Sequence, residues 1–253
     1  MKSIFARWLP AATLATWSGV LLYFHFSMRM NAMLAPEFRA YALIAAIVLG
    51  AMALSFVIFK GDATCCSSGE CGHGLSRFIS GKLLTFFILL VPIVVAARYD
   101  SRAGYSGTMV KNRGTTSQPP AEKKPAADYL VHTPDGKIVA EVLDLLYAAQ
   151  DNLLRKDFED QQVELIGQFM PDSSNNASGN RFKAVRMFMT CCAADAQPVA
   201  TLVEADKVPT FPEMTWVKIT GTPTFPIEKG RRISVLKAGS VEKVDPPADA
   251  MIY

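Results

Sequence analysis

Three apolar stretches of about bilayer length crowd into the first 97 residues, and they constrain how this chain can fold more than any other feature. Trp8 to Phe26 carries no ionisable residue except His25. At a helical rise of about 1.5 Å per residue, its length approaches the hydrocarbon thickness of a membrane. Lys2 and Arg7 precede it as they would a signal peptide, but Tyr23, Phe24 and Phe26 stand where a cleavage site needs small residues, so it reads as an uncleaved anchor. Tyr41 to Phe59 is apolar apart from Ser55, and Phe78 to Ala97 is apolar beyond Lys82, with Pro92 expected to kink the helix. The expectation is a transmembrane region, residues 1–100, with spans near 8–26, 41–59 and 78–97.

The apolar content of 50% and mean hydropathy of +0.19 are high for a soluble protein, and the excess ends at about residue 98. A multi-pass protein of the cell membrane is expected, with its termini on opposite sides. Lys2, Arg7, Lys60, Arg77 and Lys82 would flank the spans on one side and Arg29, Arg39, Arg98, Arg102, Lys111 and Arg113 on the other, so basic-residue counting does not decide orientation. The usual dominance of the first helix then places the C-terminal domain outside the cytoplasm. The net charge of +3 is too mild for a nucleic-acid partner, and the basic residues beside the spans suit lipid headgroups.

Residues 101–127 are rich in proline, lysine and threonine and read as a tether. A soluble domain follows at 128–245, then a tail at 246–253. Val142, Leu145, Leu146, Ala149 and Leu153 recur at helical spacing, which predicts one amphipathic helix over 139–154. The period then falls to two, predicting strands at 163–169, 181–189, 198–204, 216–225 and 232–244. Five short strands, with Gly167 and Gly221 inside two of them, predict an α+β unit whose sheet is a small barrel of the OB kind. A β-sandwich of the same strand count would carry the same pattern.

Two of the five cysteines, Cys191 and Cys192, are adjacent within this β-patterned region. Neighbouring Cα atoms lie about 3.8 Å apart across a trans peptide, less than the roughly 4.4–6.8 Å of an unstrained disulfide, which disfavours a structural cross-link. Three readings stay open: buried small hydrophobes, a redox pair, or soft-metal ligands. Asp195 follows in Ala-Ala-Asp-Ala, so the pair is expected at a strand-to-turn junction with Asp195 near the turn's amides, where backbone N–H groups could also stabilise a thiolate. Between the second and third apolar stretches, Cys65, Cys66, Cys71 and His73 form a donor set suited to Zn or Cu, although their spacing follows no strong zinc pattern. His25 ends the first apolar stretch four residues before Arg29, on the same face of a continuous helix, and a polar group at membrane depth is a functional candidate. With an odd number of cysteines there is no disulfide framework. No phosphate loop, Ser/His/Asp set or carboxylate pair emerges, so no catalytic constellation is expected.

Two blocks of residues resemble a known family. The first is Tyr23-Phe24-His25 with Arg29-Met30-Asn31, Pro36, Phe38 and Arg39; the second joins Val163-Glu164-Leu165-Ile166-Gly167, Arg181-Phe182, Met189-Thr190-Cys191-Cys192-Ala193-Ala194-Asp195-Ala196 and Trp216-Val217-Lys218-Ile219-Thr220-Gly221. Together they are similar to the YcgQ-like permease subunits of bacteria, with the Cys-Cys-Ala-Ala-Asp-Ala block the most specific piece. The resemblance implies an integral-membrane accessory protein that works with a separate multi-span permease in metal-ion handling. It assigns no catalytic residue, and the Cys65 loop matches none of its motifs. The alternatives are a membrane-tethered thiol redox protein and an OB-like binding module. For a nucleic-acid ligand the module lacks a basic groove, since Asp157, Glu159, Asp160 and Glu164 border its first strand.

Overall fold

The computed structural model describes residues 2–58, 87, 89–91, 93–94, 98, 107–119, 130–172, 176 and 179–253. It divides into two compact units, Met1–Ser101 and Arg102–Tyr253.

In the first unit, α1 (Lys2–Phe26) and α2 (Pro36–Ile58) are joined through a 3-10 turn at Arg29–Ala32. Met28 takes a left-handed backbone with φ 58°, which stops α1 and reverses the chain. Ser18 Oγ donates a 2.7 Å hydrogen bond to the Ala46 carbonyl. Gly50 makes this approach possible, because a Cβ there would lie 3.0 Å from Ser18 Oγ. Small residues and interhelical hydrogen bonds of this sort are how helices associate in lipid, where burial of apolar surface gives no drive.

Among the described residues, α2 is the one helix long and apolar enough to cross a membrane, and only 11% of its apolar window is buried. A core helix of a soluble protein would hide that surface. Here Ile44, Ile47, Val48, Leu54, Val57 and Ile58 are exposed, an arrangement stable in lipid and costly in water. Of the three expected spans, the second is thus the one of membrane character among the described residues. The first expected span lies within α1, and most of the third lies outside the described residues.

The second unit is α+β. Its first element, α3 (Gly107–Arg113), lies inside the stretch expected to be a tether. Val110 is 1% exposed within a methionine-rich cluster, and Thr116 pairs with Val199 through hydrogen bonds to the Pro198 carbonyl and from the Ala200 N–H. Single apolar side chains such as Met109 and Val110 do not register in a composition reading, yet they suffice to dock one helical turn.

The predicted single helix is two. Glu141 N–H donates to Asp144 Oδ2 (2.8 Å) at the start of α4 (Val142–Gln150). Asp151 then adopts an extended backbone and caps α5 (Asn152–Phe158) by accepting from Leu153 N–H at 2.8 Å. Leu153 consequently points to solvent, and Leu154 and Phe158 enter the core in its place.

Strands β1 (Val131–His132) and β2 (Ile138–Ala140) precede the helices; β3 (Val163–Pro171), β4 (Arg181–Phe188), β5 (Gln197–Glu204), β6 (Trp216–Thr224), β7 (Ile227–Glu228), β8 (Arg231–Arg232), β9 (Val235–Lys243) and β10 (Met251–Ile252) follow. Eight of them form one sheet in the order β1-β2-β3-β6-β9-β5-β4-β10. This is larger than the expected five-stranded barrel, because strands of two or three residues at β1, β2 and β10 are too short to show a period. Part of the expected tail becomes β10, which pairs in parallel with β4 through Met251↔Met187 and Ile252↔Phe188.

Strand β3 divides its pairing. Val163–Gln168 lies against β6 and Gln168–Pro171 against β4. Gly167 stands at the changeover, where a Cβ would come 3.3 Å from the Ala184 Cβ. A second glycine, Gly221, marks a register shift between β6 and β9. Phe158, Phe182, Leu143, Leu146, Leu165, Ile219 and Leu236 fill the main core between sheet and helices, each worth about 1.5–3 kcal/mol of burial. The second face of β4 packs Val185, Met187 and Met189 against Val110, Met170, Ala196, Ala200 and Met251.

Candidate functional site

The adjacent cysteines sit in the connection between β4 and β5, which is held at both ends. Met189, fully buried, donates its N–H to the Ile252 carbonyl (3.0 Å), and Ala196, also fully buried, ends the connection before β5. Between these anchors the chain makes a turn closed by Asp195 N–H to the Cys192 carbonyl at 3.0 Å. The Asp195 side chain folds back over it, accepting from Cys191 N–H at 2.7 Å and from Thr190 N–H at 3.2 Å. A short acidic side chain satisfying neighbouring amides is the local competition with secondary structure that keeps Ala-Ala-Asp-Ala from continuing as helix.

This arrangement reverses one expectation. The turn's amides were to stabilise a thiolate, and they are occupied by the Asp195 carboxylate instead. Both cysteines are half-exposed, so neither is a buried hydrophobe, and their Sγ atoms lie 3.7 Å apart as free thiols. The hydrogen bond to the Asp195 carboxylate, with that to Cys192 second, pushes the Cys191 thiol up to about 11. Burial alone would raise Asp195; the Cys191 thiol and the amides of Cys191, Thr190 and Cys192 outweigh it and hold the carboxyl below its ordinary value. A thiol so held is a poor nucleophile at neutral pH.

Among the described residues, Cys191, Cys192 and Asp195 form a group whose donor atoms all lie within 4.8 Å of one another. A shallow cleft of about 480 Å³ opens beside Asp195, lined by Arg113, Gly114, Thr116, Ala194, Gln197 and Pro198. Arg113, at the end of α3, donates to the Ala196 carbonyl. Residues 139–253 match the DUF1980 C-terminal domain. The match supports a DUF1980 relationship for most of the second unit. No curated protein matches the chain. The DUF1980 region contains the whole thiol turn and both of its buried anchors, while α3 and Arg113 precede it.

Other sequence candidates are not drawn into this site. Cys65, Cys66, Cys71 and His73 lie outside the described residues. His25 and Arg29 do not share a helical face, because α1 ends at Phe26 and Arg29 begins the 3-10 turn. Instead the His25 ring meets Phe26 edge-on at 5.5 Å, and Arg29 stacks over Tyr23 at 5.9 Å.

Sequence reasoning missed Arg186, which is 7% exposed on β4 and within the DUF1980 match. Its guanidinium lies over the Trp216 ring and donates to the Asp249 carbonyl at 2.9 Å and the Met251 carbonyl at 3.4 Å. It thereby holds the chain end against β4, directly before Met187 and Met189 lead into the thiol turn. A charged residue at an inward position of a strand was the available signal.

Proposed function

We propose that the protein is an integral-membrane accessory subunit of a multi-span permease, in which the soluble unit presents its vicinal thiols to a metal ion being handled at the membrane. One observation carries this reading: a lipid-suited helix, α2, belongs to the same chain as a half-exposed Cys-Cys-Asp turn held rigid by its own amides. The likeness to YcgQ-like subunits supports the same reading. In this reading the N-terminal apolar stretches form a multi-pass anchor and the soluble unit stands outside the cytoplasm.

The sharing of β3 between β4 and β6, with β5 and β9 parallel, favours an OB-like barrel as the scaffold. Such a scaffold would suit a binding module. The raised Cys191 thiol weighs against the redox alternative, whose attacking sulfur must be a thiolate.

Purification of the tagged full-length chain in mild detergent tests the reading. A multi-span membrane protein should co-purify in stoichiometric amount, and cells carrying Cys191→Ser/Cys192→Ser should lose metal transport or tolerance while the variant still folds and holds its partner. Normal transport in that variant would remove the thiols from the mechanism, and a chain that purifies alone would remove the permease.

A further inference from the structure

We infer that Cys191, Cys192 and Asp195 bind a divalent cation of the zinc class in tetrahedral geometry, through two thiolates and one carboxylate oxygen, with the fourth position left open. The inference deepens the metal-handling reading above and rests on it for its biological meaning.

The distance between the sulfurs selects the geometry. Zinc–thiolate bonds of about 2.3 Å at the tetrahedral angle place two sulfurs about 3.8 Å apart. The same bonds in a linear two-coordinate arrangement, the alternative for a monovalent soft ion, would need about 4.6 Å. Cys191 and Cys192 stand at 3.7 Å, already at the tetrahedral edge. Adjacency, which handicaps the pair as a disulfide, brings both sulfurs to one ion without movement of the backbone.

The third donor follows from counting. A carboxylate offers about four lone-pair sites. Thr190 N–H takes one on Oδ1 and Cys191 N–H one on Oδ2, and the site held by the Cys191 thiol is vacated when that thiol gives up its proton, so an oxygen lone pair is free for an ion. Asp195 thus ligates through one oxygen while its amide bonds fix the carboxylate in place, as partners outside the coordination shell do in built metal sites.

The fourth position is open because the turn is half-exposed and the cleft beside Asp195 gives access to it. Structural zinc sites close all four positions with protein ligands, whereas sites that exchange or react keep one for water or an incoming donor. This turn suits an ion that is passed on. Each cysteine ligates as a thiolate after giving its proton to water, so the bound unit carries two thiolates and a carboxylate against the dication, and Arg113 lines the cleft beside Asp195.

The experiment uses the full-length chain in detergent, with Cys65→Ser, Cys66→Ser, Cys71→Ser and His73→Gln to silence the other donor set. Cobalt(II) is the probe. The expected result is one cobalt per chain with strong thiolate charge-transfer absorption and the intense visible bands of a tetrahedral ion, displaced by one equivalent of zinc. Cys191→Ser and Cys192→Ser should each cut the charge-transfer bands by half or more, the double change should abolish them, and Asp195→Asn should weaken binding by about 10-fold or more. Weak octahedral bands, or binding that survives the double serine change, would each overturn the inference. Circular dichroism of every variant confirms folding, and the single serine variants serve if the double one unfolds. Co-purification of a permease is scored separately: a retained permease with no cobalt site sinks this inference alone, and a cobalt site with no permease sinks the transport reading alone.

Discussion

The guanidinium carbon of Arg186 lies 5.1 Å from the centroid of the Trp216 ring. The two residues come from β4 and β6, strands that do not pair with each other but both pair with β3. With its carbonyl partners at Asp249 and Met251, Arg186 is a cation held by an aromatic face and by backbone. Burial pulls its pKa below the ordinary arginine value, opposed by Glu141 and Asp249.

Replacing Arg186 should therefore be costly. Arg186→Ala loses charge-assisted hydrogen bonds and the ring contact, and should lower stability by about 3 kcal/mol in denaturant unfolding. Arg186→Met, which fills the space without a buried charge, should cost about half as much. Equal losses in the two variants would show that volume, rather than the guanidinium, is what matters there.

Gly221 should tolerate no side chain. A Cβ would collide with the Lys237 carbonyl oxygen and lie 2.8 Å from its carbon and 3.0 Å from Ala238 Cα, all backbone atoms that cannot rotate away. Gly221→Ala should destabilise by about 3–5 kcal/mol, and Gly167→Ala, which meets a side-chain Cβ at 3.3 Å, by about 1–2 kcal/mol. Thermal unfolding ranks the two, and the reverse order would contradict the register shift at Gly221.

The thiols should respond to pH in a defined direction. A raised pKa keeps Cys191 protonated across the neutral range, so alkylation of the metal-free protein should stay slow there and accelerate only as pH climbs towards about 11. Asp195→Asn removes the carboxylate responsible and should move the midpoint down, towards the roughly 8.5 of an unperturbed cysteine. Rapid alkylation of Cys191 at pH 7 would revive the redox alternative.

Lys111 and Glu213 approach to 2.6 Å, but both side chains are well exposed. Lys111→Ala should change stability by no more than about 0.5 kcal/mol, since solvent screens such a pair. Val110→Ala on the same short helix should cost more, about 1–2 kcal/mol, because it opens the methionine-lined cluster. Comparison of the two by chemical denaturation tests whether α3 is docked by packing.

Much of the second unit was legible because its long strands alternate over part of their length, as at Val163–Gly167 and Val217–Thr224, between turns rich in proline, although β5 is buried on both faces and shows no period. Elements of two or three residues were not, since each exists only through a partner elsewhere in the chain: β1 is paired by β2, β2 by β3 and β10 by β4. The break at Asp151 was hidden for a different reason. A helical spacing count treats Leu153 and Leu154 alike, and only the capping bond from Leu153 N–H decides which of them faces the core. In the site, Cys191 and Cys192 stood out by residue type and Asp195 by nearness in sequence. Arg186 did not, because its acceptor at Asp249 lies 63 residues further on and is a backbone atom, which leaves no trace in residue identity.

Where the polypeptide enters the soluble unit has a mechanical consequence. Val110 of α3 packs on the methionine-lined face of β4, Arg113 at the end of the same helix holds the Ala196 carbonyl, and Thr116 then pairs with Pro198 and Ala200. Load applied through α3 is therefore shared between that face of the sheet and the last residue of the Cys-Cys-Ala-Ala-Asp-Ala segment. Part of any pull on the helix would be carried straight into the turn that presents the thiols.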